Sequence, residues 1–316
     1  MSVTDRASNR VLTVEDARKT LEGREFVVPA SIANLGPGFD VLAVAVQLYL
    51  RVRVTGIDPV ARNDVRSRFG AVALEGDDYV ARSIQTLAAR EGVDFPALDL
   101  QIDSEIPMQA GLGSSAAATV AGLRLYDAMA GGTARDLIQD GTAFEGHPDN
   151  VAAALLGGLA TGCVCDDGRV LTASVPWPAR VRFVAATPDA RVKTSDARRV
   201  LPNAISREDA VFNLQRVALL LQAVQFDRPE LLREALRDRW HQPYRAALVP
   251  GLLEALALDR PDLAGVCLSG SGPTVVALAA GDTAGIERAL TGIYEKLNVP
   301  CQIRVLSAHN GRDNGV

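Results

Sequence analysis

The chain contains few cysteines and few lysines. Among its 316 residues there are four cysteines and three lysines. The cysteines form one Cys-x-Cys pair, Cys163 and Cys165, and no Cys-x-x-Cys pair. This spacing fits neither a structural zinc site nor a small fold held together by disulfides. We therefore expect reduced thiols and a cytoplasmic protein.

The sequence also lacks long apolar runs and an excess of positive charge. The uncharged stretch at residues 151–165 is too short and too rich in glycine to cross a bilayer. The first twenty residues carry charges throughout, unlike a signal peptide. The formal net charge is -5, so the electrostatic footprint of a nucleic-acid-binding protein is missing. We expect neither membrane nor nucleic acid as a partner.

A segment rich in glycine and serine, PMQAGLGSSAAA, occupies residues 107–118. Gly111 and Gly113 permit backbone angles that a Cβ forbids, so consecutive N–H groups can point at an anion. Ser114 opens a predicted helix over residues 114–130, and helix N-termini favour phosphate. The spacing matches neither a Walker A loop nor a Rossmann fingerprint. The candidate nucleotide-binding residues are Pro107, Gln109, Ala110, Gly111, Leu112, Gly113, Ser114, Ser115, Ala116 and Ala117.

A glycine turn that enters a buried alanine-rich helix is the structural alternative for this segment. Two further segments favour a ligand site. The first motif, PASIANLGPGFD at residues 29–40, follows a predicted strand and places Asn34 and Asp40 as polar groups at a sheet edge. The third motif, CLSGSGPTVVAL at residues 267–278, has two short apolar strands around a Gly-Ser-Gly-Pro-Thr turn. Taken singly, each also fits an ordinary turn.

In this order and at these separations, the three segments resemble the homoserine kinases of the GHMP kinase superfamily. The resemblance covers residues 26–306 and implies use of ATP and Mg²⁺ to phosphorylate L-homoserine, and a homodimer. Mevalonate kinases and diphosphocytidyl-methylerythritol kinases carry a lysine in or just before the first motif, where this chain has Ser31. One departure from the family lies near residue 80, where Asp78 and Tyr79 replace an Asn-aliphatic pair and leave the adenine contact open.

Three more segments resemble homoserine kinases and imply individual roles. The resemblance of FEGHPDN implies that Glu145 is a metal ligand, together with a serine of the phosphate loop, Ser115. It also implies that His147 and Asn150 contact the substrate. The resemblance of TSDARRVLP implies the same substrate role for Arg198, and that of HQPYR implies it for Arg245. These arginines are predicted to bind the substrate carboxylate, since planar guanidinium groups match carboxylate geometry. The catalytic set is thus Asn34, Ser115 and Glu145, and the substrate set is Asn34, Asp40, His147, Asn150, Arg198 and Arg245.

The chemistry of L-homoserine assigns the remaining roles. Asp40, with His147 nearby, is expected to hold the ammonium, and Asn34 to align the terminal hydroxyl. Because phosphoryl transfer has a loose transition state, we expect no dedicated general base. Asp149 is interpreted as a helix cap. A sister kinase acting on another small hydroxy compound, and a binding protein that has lost catalysis, are the alternatives.

The predicted fold is α+β. The resemblance implies an N-terminal domain like domain 2 of ribosomal protein S5 and a ferredoxin-like C-terminal domain. The expected divisions are a flexible extension (1–24) that ends in a short helix capped by Thr13, the two domains (25–176 and 177–308) and a disordered tail (309–316). Predicted strands are 26–28, 47–55, 98–102, 159–164, 181–187, 265–268, 275–279 and 302–305. Predicted helices are 78–91, 114–130, 207–223 and 283–297.

Overall fold

The computed structural model describes residues 10–74, 77–132 and 136–311. Its strands are β1 (Arg10–Val11), β2 (Glu25–Ala33), β3 (Leu42–Arg62), β4 (Val65–Phe69), β5 (Val72–Ala73), β6 (Val93–Asp94), β7 (Pro96–Ser104), β8 (Leu159–Val164), β9 (Val170–Val175), β10 (Arg182–Pro188), β11 (Leu263–Leu268), β12 (Val275–Ala279) and β13 (Cys301–Leu306). Its α-helices are α1 (Val14–Leu21), α2 (Tyr79–Glu91), α3 (Ser114–Met129), α4 (Leu137–Glu145), α5 (Asp149–Leu156), α6 (Thr194–Arg199), α7 (Arg207–Gln225), α8 (Leu232–Ala235), α9 (Gln242–Arg245), α10 (Leu252–Leu256) and α11 (Ala284–Lys296).

The larger sheet has the strand order β5-β4-β7-β3-β8-β9, and β2 pairs with the long strand β3. Helix α3 packs against β2, α2 and α4 on this sheet. Its small side chains allow close packing, and Ala116, Ala117, Val120 and Ala121 are all buried. The helix that follows the glycine-rich loop is therefore fixed in the core, so the loop is held by a rigid element.

The smaller sheet is antiparallel with the order β11-β12-β10-β13. Along the chain, helices α6 to α10 separate β10 from β11, and α11 separates β12 from β13, which is the ferredoxin-like arrangement. Alternate residues of β10 enter different cores. Phe183 and Ala185 join the core shared with the larger sheet, whereas Val184 and Ala186 join the core under α11. Both faces of this sheet are therefore covered.

The chain passes from the larger sheet to the smaller one between β9 and β10. Trp177 lies in this segment, is 1% exposed and packs on Phe183 with ring centroids 4.9 Å apart. Its indole N–H donates to the carbonyl of Val181 at 3.0 Å. The segment coincides with the domain boundary predicted at residue 176, which we retain as a proposal.

The predicted ends of the chain need correction. The flexible extension is wrong for residues 10–24, because α1 inserts Ala17 and Leu21 into the core. Thr13 does cap α1, as expected, and accepts the N–H of Asp16. The disordered tail is wrong for residues 309–311, because the carbonyl of His309 accepts from Gly158 at 2.8 Å and its N–H donates to Ala45. Residues 1–9 and 312–316 lie outside the described residues.

The α+β class and the four long predicted helices are observed, each helix within two residues at either end. The strands predicted at 26–28 and 47–55 are parts of the longer strands β2 and β3. The short strands β1, β4, β5, β6 and β9 and the short helices α4, α6, α8, α9 and α10 were not predicted, since short segments carry little periodicity. Helix α5 agrees with the helix expected at Asp149. Within the described ranges, no helix combines the length and the hydropathy needed to span a membrane.

Candidate active site

The three glycine-rich segments, far apart in sequence, meet in the structure. Ser269 of the third motif donates its hydroxyl to the Gly111 carbonyl at 2.6 Å, and Thr274 donates its N–H to the Ala110 carbonyl at 3.2 Å. Gly270 donates its N–H to Ala33 of the first motif at 3.1 Å. The phosphate loop, residues 107–113, is therefore held by hydrogen bonds from the third motif, which also binds the first.

The phosphate loop requires glycine at two positions. Gly111 and Gly113 have φ values of +77° and +71°. A Cβ on Gly111 would lie 2.4 Å from the Ser269 carbonyl oxygen, and one on Gly113 would lie 2.2 Å from Ser31 Oγ. Gly113 precedes α3 and provides no side-chain cap, so the first N–H groups of this helix remain available to an anion.

The other predicted loop residues contribute through their backbone. The side chains of Ala110, Leu112, Ala116 and Ala117 are buried in the protein. Their N–H groups, rather than their side chains, are what a phosphate could meet, except that the N–H of Ala117 donates to the Gly113 carbonyl at 2.9 Å. Asp78, at the position where the family pattern was not matched, caps α2 by accepting the Ala81 N–H at 3.0 Å.

Ser115 and Glu145, predicted to bind Mg²⁺, contact each other. Ser115 donates its hydroxyl to Glu145 Oε2 at 2.8 Å. Thr119, one helical turn further along α3, donates to Glu145 Oε1 at 2.9 Å. Hydroxyl and carboxylate oxygens are the ligands that Mg²⁺ prefers, so the donor set fits this ion. The buried Thr119 was missed by the sequence prediction, although its spacing from Ser115 marks it as a neighbour.

Asn34 connects the first and third motifs. It is buried, with φ +70°, and its Nδ2 donates to the Gly270 carbonyl at 3.0 Å. Its Oδ1 accepts the N–H of Asp40 at 3.1 Å. Within the described part of the chain, the second N–H of this amide has no partner and is left for a ligand. The side chain thus fixes the position of Asp40 as well as its own.

Asp40 and Arg198 form a two-point ion pair between the first motif and α6. Arg198 Nη1 donates to Asp40 Oδ2 at 2.9 Å, and Nη2 donates to Oδ1 at 2.8 Å. The side chains of Arg198 and Asp40 are partly exposed, at 40% and 32%. The structure therefore brings these two predicted substrate contacts together, but they bind each other.

Arg245 is buried and differs from the free planar fork that the sequence predicted. Its Nε donates to the Ala197 carbonyl at 3.1 Å and its Nη1 to the Gly270 carbonyl at 2.8 Å. Among the described residues, Nη2 is left without a hydrogen-bond partner. Burial, reinforced by the charge of Arg198, lowers the pKa of Arg245 to about 10, so the side chain stays charged at neutral pH. A ligand carboxylate can be met here by Nη2 alone.

His241 supports both Arg245 and the first motif. Its Nε2 lies 2.7 Å from the Gly36 carbonyl, an acceptor, so Nε2 carries the proton and Nδ1 accepts from Arg245 Nη1 at 3.3 Å. Burial, aided by the charge of Arg245, lowers the pKa of His241 to about 4. A neutral imidazole therefore joins the two segments. Apart from the position of His241 beside Arg245, no sequence signal indicated this role.

Asp238, which was not predicted, anchors the same segment. Its carboxylate accepts from the amide of Asn213 at 2.7 Å and from the backbone N–H groups of Trp240, His241 and Gln242. Satisfying three consecutive N–H groups fixes the start of α9, which carries Arg245.

His147 pairs with Asp149. Its Nδ1 lies 2.6 Å from Asp149 Oδ1, which leaves Nε2 to face a ligand. Burial would lower the pKa of His147, but the Asp149 hydrogen bond and the charges of Asp149 and Asp40 outweigh it, so the pKa is raised. Ligand atoms of Asp40, His147 and Asp149 lie within 4.8 Å of one another.

The roles predicted for Asp149 and Asn150 differ from their contacts. Asp149 is the first residue of α5 rather than its cap, and it accepts the N–H of Asn150. Asn150 Oδ1 accepts the Ser31 hydroxyl at 2.7 Å, behind Gly113 of the phosphate loop. Its amide thus supports the loop, and its contact with substrate stays a prediction.

Comparison with known proteins agrees with this arrangement. The family model for the GHMP kinase N-terminal domain matches residues 78–158, and the model for the C-terminal domain matches residues 219–296. A homoserine kinase of Thermus thermophilus is 42% identical over 84% of this chain and 90% of its own length. That of Schizosaccharomyces pombe is 35% identical over 89% of this chain and 95% of its own length.

The crystal structure of homoserine kinase from Cytophaga hutchinsonii superposes with a TM-score of 0.77 at 27% identity, covering 91% of this chain and 95% of that one. The two-domain fold expected from the motifs is thereby confirmed. With the domain models, the relatives and the assembled motifs in agreement, this chain belongs to the homoserine kinase family of the GHMP kinases.

Proposed function

We propose that this chain transfers the γ-phosphoryl group of ATP to the terminal hydroxyl of L-homoserine, giving O-phospho-L-homoserine and ADP for threonine synthesis. One observation carries the proposal. The Gly270 carbonyl accepts from both Asn34 and Arg245, while the adjacent Ser269 binds the phosphate loop. The groups suited to an amino acid thus lie beside the groups suited to a nucleotide.

The phosphate end is formed by the loop and the start of α3. Backbone N–H groups and the helix N-terminus stabilise negative charge on the phosphates without a side-chain cation. Ser115 and Glu145 would hold Mg²⁺, and Thr119 orients the carboxylate. When bound, Mg²⁺ supplies neutralisation of the charge that develops on the phosphoryl oxygens.

The acceptor end orients the amino acid. Arg198 and Nη2 of Arg245 bind the carboxylate, Asp40 binds the ammonium, and the remaining N–H of Asn34 aligns the hydroxyl. No side chain is assigned as general base, because the hydroxyl loses its proton late in a loose transition state. Asp40→Asn tests this assignment. Weaker L-homoserine binding with unchanged turnover at saturation fits, whereas lost turnover with unchanged binding contradicts it.

The direct test is Mg²⁺-dependent ADP release by the purified chain. L-homoserine is compared with L-serine, L-threonine, mevalonate, galactose and no acceptor, with Arg245→Ala as a control. Turnover on L-homoserine alone, lost in the control, supports the proposal. Release of ADP on another alcohol would indicate a sister kinase, and no release would indicate a non-catalytic binding protein. The homodimer and the cytoplasmic location remain part of the proposal and need sizing and fractionation.

A further inference from the structure

The Asp40–Arg198 pair already occupies the position proposed for the substrate carboxylate. Both terminal nitrogens of Arg198 donate to the two oxygens of Asp40, at 2.9 and 2.8 Å. A ligand carboxylate that binds Arg198 in the same two-point manner needs the same two nitrogens. Either the ligand meets Arg198 by another edge, or Asp40 moves away.

The neighbouring charges favour an exchange. The guanidinium carbons of Arg198 and Arg245 lie 5.4 and 5.2 Å from the centroid of the Phe39 ring, so two cations flank one aromatic side chain. Of these two cations, Asp40 binds Arg198. Together the three side chains carry one net positive charge, which one ligand carboxylate would balance. Asp40 would then lose its arginine partner unless the ligand also brings a cation.

We propose that the two charges of the substrate replace this internal ion pair: the ligand carboxylate takes the place of Asp40 on Arg198, and the ligand ammonium takes the place of Arg198 on Asp40. The inference rests on the proposed function and specifies how the site selects its substrate. A zwitterion leaves every charge paired. A ligand with only one of the two charges leaves either Asp40 or Arg198 without its partner.

The exchange is energetically accessible because the pair is partly exposed. Such ion pairs contribute about 1 kcal/mol or less, so opening one costs little when new pairs form. A ligand with a single charge loses this contribution without replacing it, which corresponds to about a fivefold loss of affinity. Removing one partner of the pair should therefore improve binding of the ligand that matches the freed residue.

Two analogues with one charge each test the exchange. 4-Hydroxybutanoate has the carboxylate without the ammonium, and 3-aminopropan-1-ol has the ammonium without the carboxylate. Asp40→Asn frees Arg198, and asparagine tolerates the left-handed backbone of this position, where φ is +57°. Arg198→Gln frees Asp40. Arg199→Gln is the matched control, since Arg199 lies on the same helix, is exposed and pairs with Asp196.

Affinities are measured by calorimetry on the full chain, with thermal melts to confirm folding. We expect 4-hydroxybutanoate to bind Asp40→Asn about fivefold more tightly than wild type and Arg198→Gln more weakly, and 3-aminopropan-1-ol to show the opposite pattern. Both variants should bind L-homoserine more weakly than wild type does. Arg199→Gln should bind all three ligands with wild-type affinity. The exchange is overturned if both variants bind all three ligands more weakly, or if neither variant changes any of the three affinities. The two variants test it independently, so failure of one to fold leaves the other decisive.

This outcome is separate from the proposed function. Wild-type turnover of L-homoserine together with a parallel loss of analogue binding would reject the exchange and leave the kinase activity standing. Absence of wild-type turnover would reject the function itself.

Discussion

Gly113 offers the sharpest test of how the phosphate loop is built. In Gly113→Ala, a methyl group would lie 2.2 Å from Ser31 Oγ and 3.1 Å from Asn150 Oδ1. Ser31 is buried in strand β2 and its own N–H is bonded to Leu112, so it cannot retreat easily. The loop must therefore shift, or the hydrogen bond between Ser31 and Asn150 must break.

The expected cost has two parts. A left-handed backbone at alanine costs about 1–2 kcal/mol, and loss of the Ser31–Asn150 bond adds about 1 kcal/mol. If the loop keeps its shape, a total of about 2–3 kcal/mol appears as a lower melting temperature, on the order of 3–5 °C for a chain of 316 residues. If the loop moves instead, the same total of about 2–3 kcal/mol is lost from ATP binding, which lowers the affinity for ATP by about 30- to 160-fold.

Gly132→Ala is the matched control. Gly132 has a similar φ of +64°, but a Cβ there meets nothing within 4 Å. This variant should show the backbone cost alone, with the wild-type KM for ATP. The double variant Gly113→Ala with Ser31→Ala removes the contact and should recover part of the ATP affinity. The reasoning fails if Gly113→Ala binds ATP like wild type and melts no lower than Gly132→Ala.

Three further predictions concern Thr119, His241 and Trp177. Thr119→Val removes the hydroxyl that orients Glu145, so the Mg²⁺ concentration at half-saturation, at fixed ATP, should rise by about 10- to 100-fold. Thr119→Ser keeps the hydroxyl and should need about as much Mg²⁺ as wild type. Equal Mg²⁺ requirements in the valine variant and wild type would contradict this role. His241 has a pKa of about 4 in the folded protein, below its ordinary value of about 6.5. Between these two pH values the unfolded state binds a proton that the folded state does not. The free energy of unfolding should therefore be highest above about pH 6.5 and should fall as the pH drops toward 4. Urea unfolding should show up to about 3 kcal/mol of this acid loss, and His241→Gln, which cannot titrate, should lose less between the same pH values. Trp177→Phe leaves the Val181 carbonyl without its indole donor and should lower the free energy of unfolding by about 1–3 kcal/mol. The KM values for ATP and L-homoserine should stay unchanged. A changed KM would mean that this boundary segment contributes to the active site.

The long elements were predicted well from the sequence because each has a clear local signal. Helices α2, α3, α7 and α11 show apolar periodicity or alanine-rich composition, and α2 and α7 also begin after capping residues, Asp78 and Ser206. The glycine and serine spacing of residues 107–118 predicted the phosphate loop, and positive φ values at Gly111 and Gly113 follow from the same residues. Resemblance to a family then indicated most of the residues that the structure brings together at the site.

What the sequence could not determine is which side chains satisfy one another. Asp40 binds Arg198, which lies 158 positions further along the chain. Two nitrogens of Arg245 donate to backbone carbonyls of other segments, those of Ala197 and Gly270. His241 and Asp238 look like ordinary surface residues until tertiary packing buries their side chains near Arg245. Local residue types therefore determined the helices, strands and phosphate loop, whereas long-range packing alone decided the charge pairing of the site, because hydrogen bonds between distant segments leave no local pattern.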